Sequence, residues 1–139
     1  MKAMTSTEMR VSSRTRSQVG TFFCDTYALI EIIGGNKAYN KYEDALLVTS
    51  EFNLIELYYH FLRNYDKNSA EHYFNHWLEL CIKIPHSVIK AGMEIKLENK
   101  KEKLSYIDCI GYSFSLQNNI FFLTGDSKFE NREGVEFVK

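Results

Sequence analysis

Four acidic residues, far apart along the chain, carry the strongest chemical signal in this sequence. A group of carboxylates without histidine or cysteine partners offers only hard oxygen ligands, which suit Mg²⁺ or Mn²⁺ and the phosphates that those ions bind. Each acid lies where an α/β chain is expected to bring carboxylates to one edge of a sheet. The four residues are Asp25, Glu56, Asp108 and Asp126. We therefore predict one divalent metal site built from these carboxylates.

Each acid also has a purely structural explanation. Asp25 follows an apolar run and precedes a helix start, where aspartate commonly caps a helix or forms a turn. Asp108 completes the S-x-x-[DE] capping box that begins at Ser105. Asp126 fits a turn, and Glu56 fits the exposed face of its helix. Each residue alone is weak evidence, so the metal-site hypothesis depends on the set of four.

The elements that would position these acids alternate between short apolar strands and helices. We predict strands at 21–24, 45–48, 82–84, 120–124 and 135–138. Helical segments are predicted at 26–33 and 51–64, and further ones open at Asn68 or Ser69, at Ser87 and at Ser105. This alternation indicates one three-layer α/β domain with a central, mostly parallel five-stranded sheet flanked by helices. Such sheets bind ligands at the carboxyl ends of their strands.

Two local patterns bear on the acids directly. Thr26 is predicted to be the N-cap of the first helix. In the helix at 51–64, Glu56 lies opposite the predicted core stripe of Leu54, Ile55, Tyr58, Phe61 and Leu62. Because that helix is apolar almost all round, we expect the Glu56 carboxylate to be partly desolvated and to need a cation.

Composition limits the function classes. The chain has 139 residues, 45% of them hydrophobic and 25% charged, which predicts one globular domain at 21–139. The formal net charge is −1, so any binding to nucleic acid would have to depend on local patches and on metal. No apolar run approaches the ~20 residues that span a membrane, and the cytoplasm is the expected location.

Other motifs are missing or weak. The three cysteines form no C-x-x-C pair, which disfavours a disulfide framework or a zinc site. No phosphate-binding loop of the G-x-x-x-x-G-K-[ST] or G-x-G-x-x-G kind occurs, so no nucleotide cofactor is expected. The segment at 1–20 has four basic residues against one acidic residue and lacks apolar periodicity, which predicts a flexible basic tail.

The segments that contain the acids resemble the PIN-domain family. The resemblance covers about 22–138 and is most specific from Ser105 onward. It is carried by DT at 25–26, NLIELY at 53–58, LSYIDCIGY at 104–112 and FLTGDSKF at 122–129.

This resemblance implies a metal-dependent endoribonuclease, most often the VapC-type toxin of a toxin–antitoxin pair. It further implies a homodimer, an RNA substrate and a cognate antitoxin that occupies the acidic groove. The acidic motif positions of the family fall on Asp25, Glu56, Asp108 and Asp126, and its hydroxyl positions fall on Thr26 and Thr124. Asp25 and Asp108 are expected to be the principal ligands of Mg²⁺ or Mn²⁺.

Two other classes of function remain open. A receiver-like regulatory module also gathers acids around Mg²⁺, but it normally has an adjacent acidic pair after the first strand, and here Cys24-Asp25 supplies one acid. An inactive scaffold that binds RNA or protein is the second alternative. The presence of all four acids disfavours that scaffold.

Overall fold

The computed structural model describes residues 20–139, and the predicted basic tail lies outside the described residues except for Gly20. Four short strands form one sheet in the order β2-β1-β3-β4, and each neighbouring pair is parallel. The strands are β1 (Thr21–Cys24), β2 (Leu46–Val48), β3 (Phe121–Thr124) and β4 (Val135–Phe137). The predicted α/β fold with a parallel sheet is confirmed.

The sheet has four strands within the described residues, so the prediction of five was wrong. The segment at 82–84 forms no strand, although its neighbour Cys81 makes an isolated parallel bridge with Thr49. Thr49 donates its backbone N–H to Leu80 and accepts from Ile82, at 3.0 and 2.9 Å. Pairing stops there because the chain after Thr49 turns into a helix, and Pro85 leads the other segment into a helix as well.

Within residues 20–139, five α-helices surround the sheet. They are α1 (Thr26–Ile33), α2 (Glu51–Asn64), α3 (Lys67–Leu78), α4 (His86–Glu98) and α5 (Tyr106–Gln117). Short 3-10 helices span Lys37–Tyr42, Lys100–Glu102 and Ser127–Phe129. In the part of the chain that the structure describes, no helix is long and apolar enough to cross a membrane.

Three helices begin earlier than the sequence predicted. Asp25, not Thr26, is the N-cap of α1, because its carboxylate accepts from the N–H of Ala28. Asp66 caps α3 ahead of the predicted start at Asn68 or Ser69. Helix α4 begins at His86, directly after Pro85, and so includes the predicted cap Ser87.

The core lies on both faces of the sheet, as alternate residues of β1 show. Phe22 and Cys24 pack in the cluster with α1, α2 and α3, whereas Phe23 packs in the cluster with α4 and α5. This division confirms the helix–sheet–helix layers. On α2 the buried apolar residues are Leu54, Leu57 and Phe61. The predicted core stripe was wrong at Ile55 and Leu62, which are 62% and 43% exposed.

Candidate functional site

Asp25 occupies the carboxyl end of β1, where its backbone N–H continues the sheet by donating to Leu123 at 3.2 Å. The residue is 1% exposed. Its Oδ1 atom accepts from the N–H of Ala28 at 2.8 Å, and its Oδ2 atom accepts from the hydroxyl of Thr124. The end of β1, the start of α1 and the end of β3 together fix this carboxylate.

The environment of Asp25 disfavours its charged form. Burial is the largest influence and raises the pKa of Asp25 to about 8. The hydrogen bonds from Thr124 and Ala28 oppose this rise, whereas Asp108 and Asp126 add to it by repulsion between like charges. A buried carboxylate with carboxylate neighbours is the electrostatic setting in which a cation binds well.

Glu56 reaches the same region from α2 through a chain of hydrogen bonds. The Thr26 hydroxyl donates to Glu56 Oε1 at 2.5 Å and accepts from Asn53 Nδ2 at 3.2 Å. The amide oxygen of Asn53 accepts in turn from the Ser50 hydroxyl at 2.6 Å. Asn53 is fully buried, so this chain locks the orientation of Thr26 and, through it, of Glu56.

Asp108 lies in the first turn of α5, and its N–H donates to the hydroxyl of the N-cap Ser105 at 3.0 Å. Burial raises the pKa of Asp108 to about 6, and a hydrogen bond with Ser105 lowers it in part. Repulsion from Glu56 and Asp126 raises the pKa further, while Lys128 lowers it. The helix-capping role and a place in the acidic cluster therefore coexist at this residue.

Asp126 and Thr124 connect the end of β3 to the cluster. The Thr124 hydroxyl donates to Asp25 and also accepts from the N–H of Asp126 at 3.0 Å. Asp126 Oδ1 accepts from the N–H of Lys128 at 3.0 Å and caps the following 3-10 helix. A single buried hydroxyl thus holds the two aspartates of neighbouring strand ends in a fixed relation.

Gly125, directly after β3, lies in close contact with Tyr27 and Val138, and only a residue without a side chain fits there. A Cβ atom at this position would lie 2.4 Å from the carbonyl oxygen of Val138 and 2.2 Å from the ring of Tyr27. No side chain fits between them, so the tight turn that presents Asp126 depends on glycine here.

All four predicted acids line one open pocket of about 480 Å³, which we call the acid pocket. Thr26 lines it too, whereas Thr124 is buried behind it. Three residues of the site were not predicted from the sequence: Asn53, which supports Thr26, and His60 and Lys139, which line the pocket. His60 follows Glu56 by four residues on α2, and that helical spacing is the signal that could have found it.

The donor set of the acid pocket fits a hard divalent cation, because it combines four carboxylates with hydroxyl groups. Within residues 20–139, no three acidic, histidine or cysteine side chains are already gathered closely enough to enclose an ion. The hydrogen bonds above explain this, since Asp25, Glu56 and Asp126 each turn an oxygen toward a protein donor. Binding an ion would require some of these side chains to turn toward one another.

The comparisons with known proteins identify the family and the fold. The family model for the PIN domain matches residues 22–135, so the chain belongs to the PIN-domain family, and the predicted resemblance is confirmed. A search of curated protein sequences gives no match.

Solved structures share the fold at low sequence identity. A toxin–antitoxin complex from Klebsiella pneumoniae is 16% identical with a TM-score of 0.64, and the alignment covers 82% of this chain and 94% of that chain. DNA-bound VapBC from Salmonella typhimurium is 15% identical with a TM-score of 0.65, covering 85% and 96%. VapBC2 from Rickettsia felis, bound to a promoter DNA fragment, is 18% identical with a TM-score of 0.63, covering 85% and 97%.

Proposed function

We propose that this protein is a divalent-metal-dependent endoribonuclease that hydrolyses RNA phosphodiester bonds in the acid pocket. The observation that carries the proposal is the placement of four carboxylates in one pocket at the carboxyl edge of the sheet. Burial and mutual repulsion raise the pKa values of two of them, and such raised values are typical of sites that bind cations or transfer protons. Membership of the PIN-domain family supports a nuclease.

The residues of the acid pocket have different roles in the proposed reaction. Asp25 and Asp108 would hold Mg²⁺ or Mn²⁺, and Glu56 and Asp126 would complete or orient the set of ligands. Thr124 fixes Asp25, and Thr26 fixes Glu56, by the hydrogen bonds described above. A bound divalent ion supplies the positive charge that polarises the phosphoryl group and the attacking water. On binding of such an ion, Asp25 would release its proton to the surrounding water, because the positive charge would favour the ionised carboxylate.

The biological setting that we propose is a cytoplasmic toxin held inactive by an antitoxin. The support is the fold shared with toxin–antitoxin complexes at low identity. An inhibitory segment would place an arginine or lysine among the carboxylates and so supply the charge that the metal otherwise provides. Added Mn²⁺ should therefore weaken the binding of an antitoxin peptide, and binding unaffected by Mn²⁺ would exclude this mode of inhibition.

We also propose that the protein forms a homodimer through α2 and α3. Ile55 and Tyr59, each 62% exposed, and Leu62, 43% exposed, form an apolar row at helical spacing, and Leu78 of α3 is 40% exposed. Light scattering should show a dimer at micromolar concentration and a monomer for Tyr59→Lys. The matched control is Ser87→Lys on α4, which should remain a dimer. A monomeric wild type would refute this part of the proposal.

A cleavage assay tests the proposed activity. Purified protein is incubated with a mixed panel of single-stranded RNAs in Mn²⁺, in Mg²⁺ and in EDTA. We expect cleavage only with the divalent ions and a loss of about 100-fold or more for Asp25→Asn and for Asp108→Asn. Asp44→Asn, at an exposed position outside the pocket, is the control and should cleave at the wild-type rate. Equal cleavage by Asp25→Asn and the wild type would refute the assignment.

A further inference from the structure

A second hollow adjoins the acid pocket, and His60 lines both. The second hollow has a volume of about 250 Å³ and shares Ile30 and His60 with the acid pocket. Its other walls include Phe61, Tyr65 and Tyr73. We call it the aromatic pocket. Because the two hollows share two wall residues, they are neighbours on the surface, and a chain molecule in the acid pocket has the aromatic pocket beside it.

The contacts with Asn64 favour one tautomer of the neutral His60 ring. Asn64 Nδ2 donates to the backbone oxygen of His60 at 2.9 Å and lies 3.3 Å from His60 Nδ1. An amide nitrogen only donates, so this second contact is a hydrogen bond in the tautomer whose Nδ1 bears no proton. In the neutral ring the proton is then on Nε2. His60 therefore offers an N–H donor from its Nε2 atom.

The aromatic pocket has the composition of a surface that stacks bases. Tyr65 is 68% exposed, and its ring lies 5.3 Å from that of Phe61, centroid to centroid. The Tyr73 ring stacks on the Phe61 ring with their centroids 4.8 Å apart. The buried Phe61 and the half-buried Tyr73 thus support an exposed tyrosine ring, and unpaired RNA bases pack on such rings without regard to sequence. Among the described residues, the lining of the aromatic pocket includes no lysine, arginine or acid.

We propose that His60 and the aromatic pocket form a subsite for one unpaired nucleotide next to the cleaved phosphodiester. His60 Nε2 donates to a phosphate oxygen of that nucleotide, and its base packs against Tyr65. The occupant is RNA because the two features match the two parts of a nucleotide: the N–H donor matches its phosphate, and the stacked aromatic rings match its base. Both features adjoin the pocket that is proposed to cleave phosphodiester bonds. This inference rests on the proposed ribonuclease function. His60 is a positioning residue in it.

Binding can be measured without cleavage. Fluorescence anisotropy of a labelled single-stranded RNA is recorded in the Asp25→Asn background, with further changes added. His60→Ala should weaken RNA binding about 10-fold, the value of one hydrogen bond to a charged group. His60→Gln keeps an N–H donor and should recover most of that loss. His72→Ala, an exposed histidine on α3, is the matched control and should bind like the background protein.

Cleavage of abasic substrates locates the subsite. Removing the base on one side of the cleaved bond should lower kcat/KM about 10-fold for the wild type. The change should appear as a higher KM, with kcat nearly unchanged. The same removal should have no effect in Tyr65→Leu, because that variant has already lost the contact. A base-removal penalty that is equal in the wild type and in Tyr65→Leu would overturn the subsite.

The outcomes separate this inference from the proposed function. Cleavage of RNA with no dependence on His60 or Tyr65 overturns the subsite and leaves the ribonuclease standing. Binding of RNA that depends on His60, without any cleavage, supports the subsite and contradicts the ribonuclease. If both variants leave RNA binding unchanged but weaken the binding of an antitoxin peptide, the aromatic pocket is a protein-docking site and the inference is wrong.

Discussion

Replacement of Asp25 by asparagine should stabilise the metal-free protein at alkaline pH. Burial raises the pKa of Asp25 from 3.8 to about 8. Because this folded-state pKa lies above the unfolded value, the folded protein keeps a proton that the unfolded chain has lost. The stabilisation of the folded state by the protonated Asp25 carboxyl is thus complete below about pH 4 and decreases as the pH rises toward about 8.

The size of the effect follows from the same values. Between the unfolded-state and folded-state pKa values of a group, each pH unit changes the unfolding free energy by about 1.4 kcal/mol. Between about pH 5 and pH 8, the wild type should therefore lose about 4 kcal/mol relative to Asp25→Asn. The amide retains a carbonyl oxygen that can accept from Ala28, so the cap of α1 is preserved in the variant.

Urea denaturation in EDTA measures this difference, with the fluorescence of the buried Trp77 as the probe. Unfolding free energies of the wild type and the variant are compared across the pH range, so contributions from other groups cancel. Asp44→Asn, an exposed aspartate, should follow the wild type. Parallel curves for the wild type and Asp25→Asn would refute the raised pKa. Mn²⁺ should restore wild-type stability at alkaline pH and have a much smaller effect on Asp25→Asn.

Three further predictions concern the supporting residues. Asn53→Ala should lower the unfolding free energy by about 1–3 kcal/mol and slow RNA cleavage, because Thr26 loses its donor; chemical denaturation should show no change for the exposed control Asn75→Ala. Gly125→Ala should lower the melting temperature, since its Cβ would meet the Val138 oxygen at 2.4 Å, and an unchanged melting curve would contradict the tight turn. Asp108→Asn should abolish cleavage per folded molecule while the melting temperature holds or rises, and lost stability with intact activity would favour a capping role alone.

The strands next to the site could be predicted from sequence because each is a short apolar run that ends at a turn or a polar residue. The predicted 45–48 and 120–124 differ by one residue from the observed β2 and β3. The segment at 82–84 has the same appearance, but pairing there ends after the single bridge to Thr49. Strand pairing depends on the neighbouring segment with which a strand forms hydrogen bonds, and a local sequence pattern contains no information about that segment.

Helix α2 shows a second limit of the sequence. Apolar residues occur all round it, so periodicity alone could not decide which of them face the core. Leu57 is buried and was missed, while Ile55 was placed in the core and is 62% exposed. Asn53 was missed for the opposite reason, since a polar residue among apolar neighbours looks like a surface position until its partners Ser50 and Thr26 are known. The four acids could be grouped because strand ends meet at one edge of a parallel sheet.

The source of the oxygen in the cleaved product tests the central claim most directly. A single-stranded RNA is cleaved by the full chain with Mn²⁺ in ¹⁸O-labelled water under single-turnover conditions, and the product ends are analysed by mass spectrometry. Attack by water in the acid pocket predicts 3′-hydroxyl ends and 5′-phosphate ends that carry one ¹⁸O atom. Products with 2′,3′-cyclic phosphate and 5′-hydroxyl ends would show that the RNA's own 2′-hydroxyl attacks. That result would contradict the mechanism proposed for Asp25, Glu56, Asp108 and Asp126.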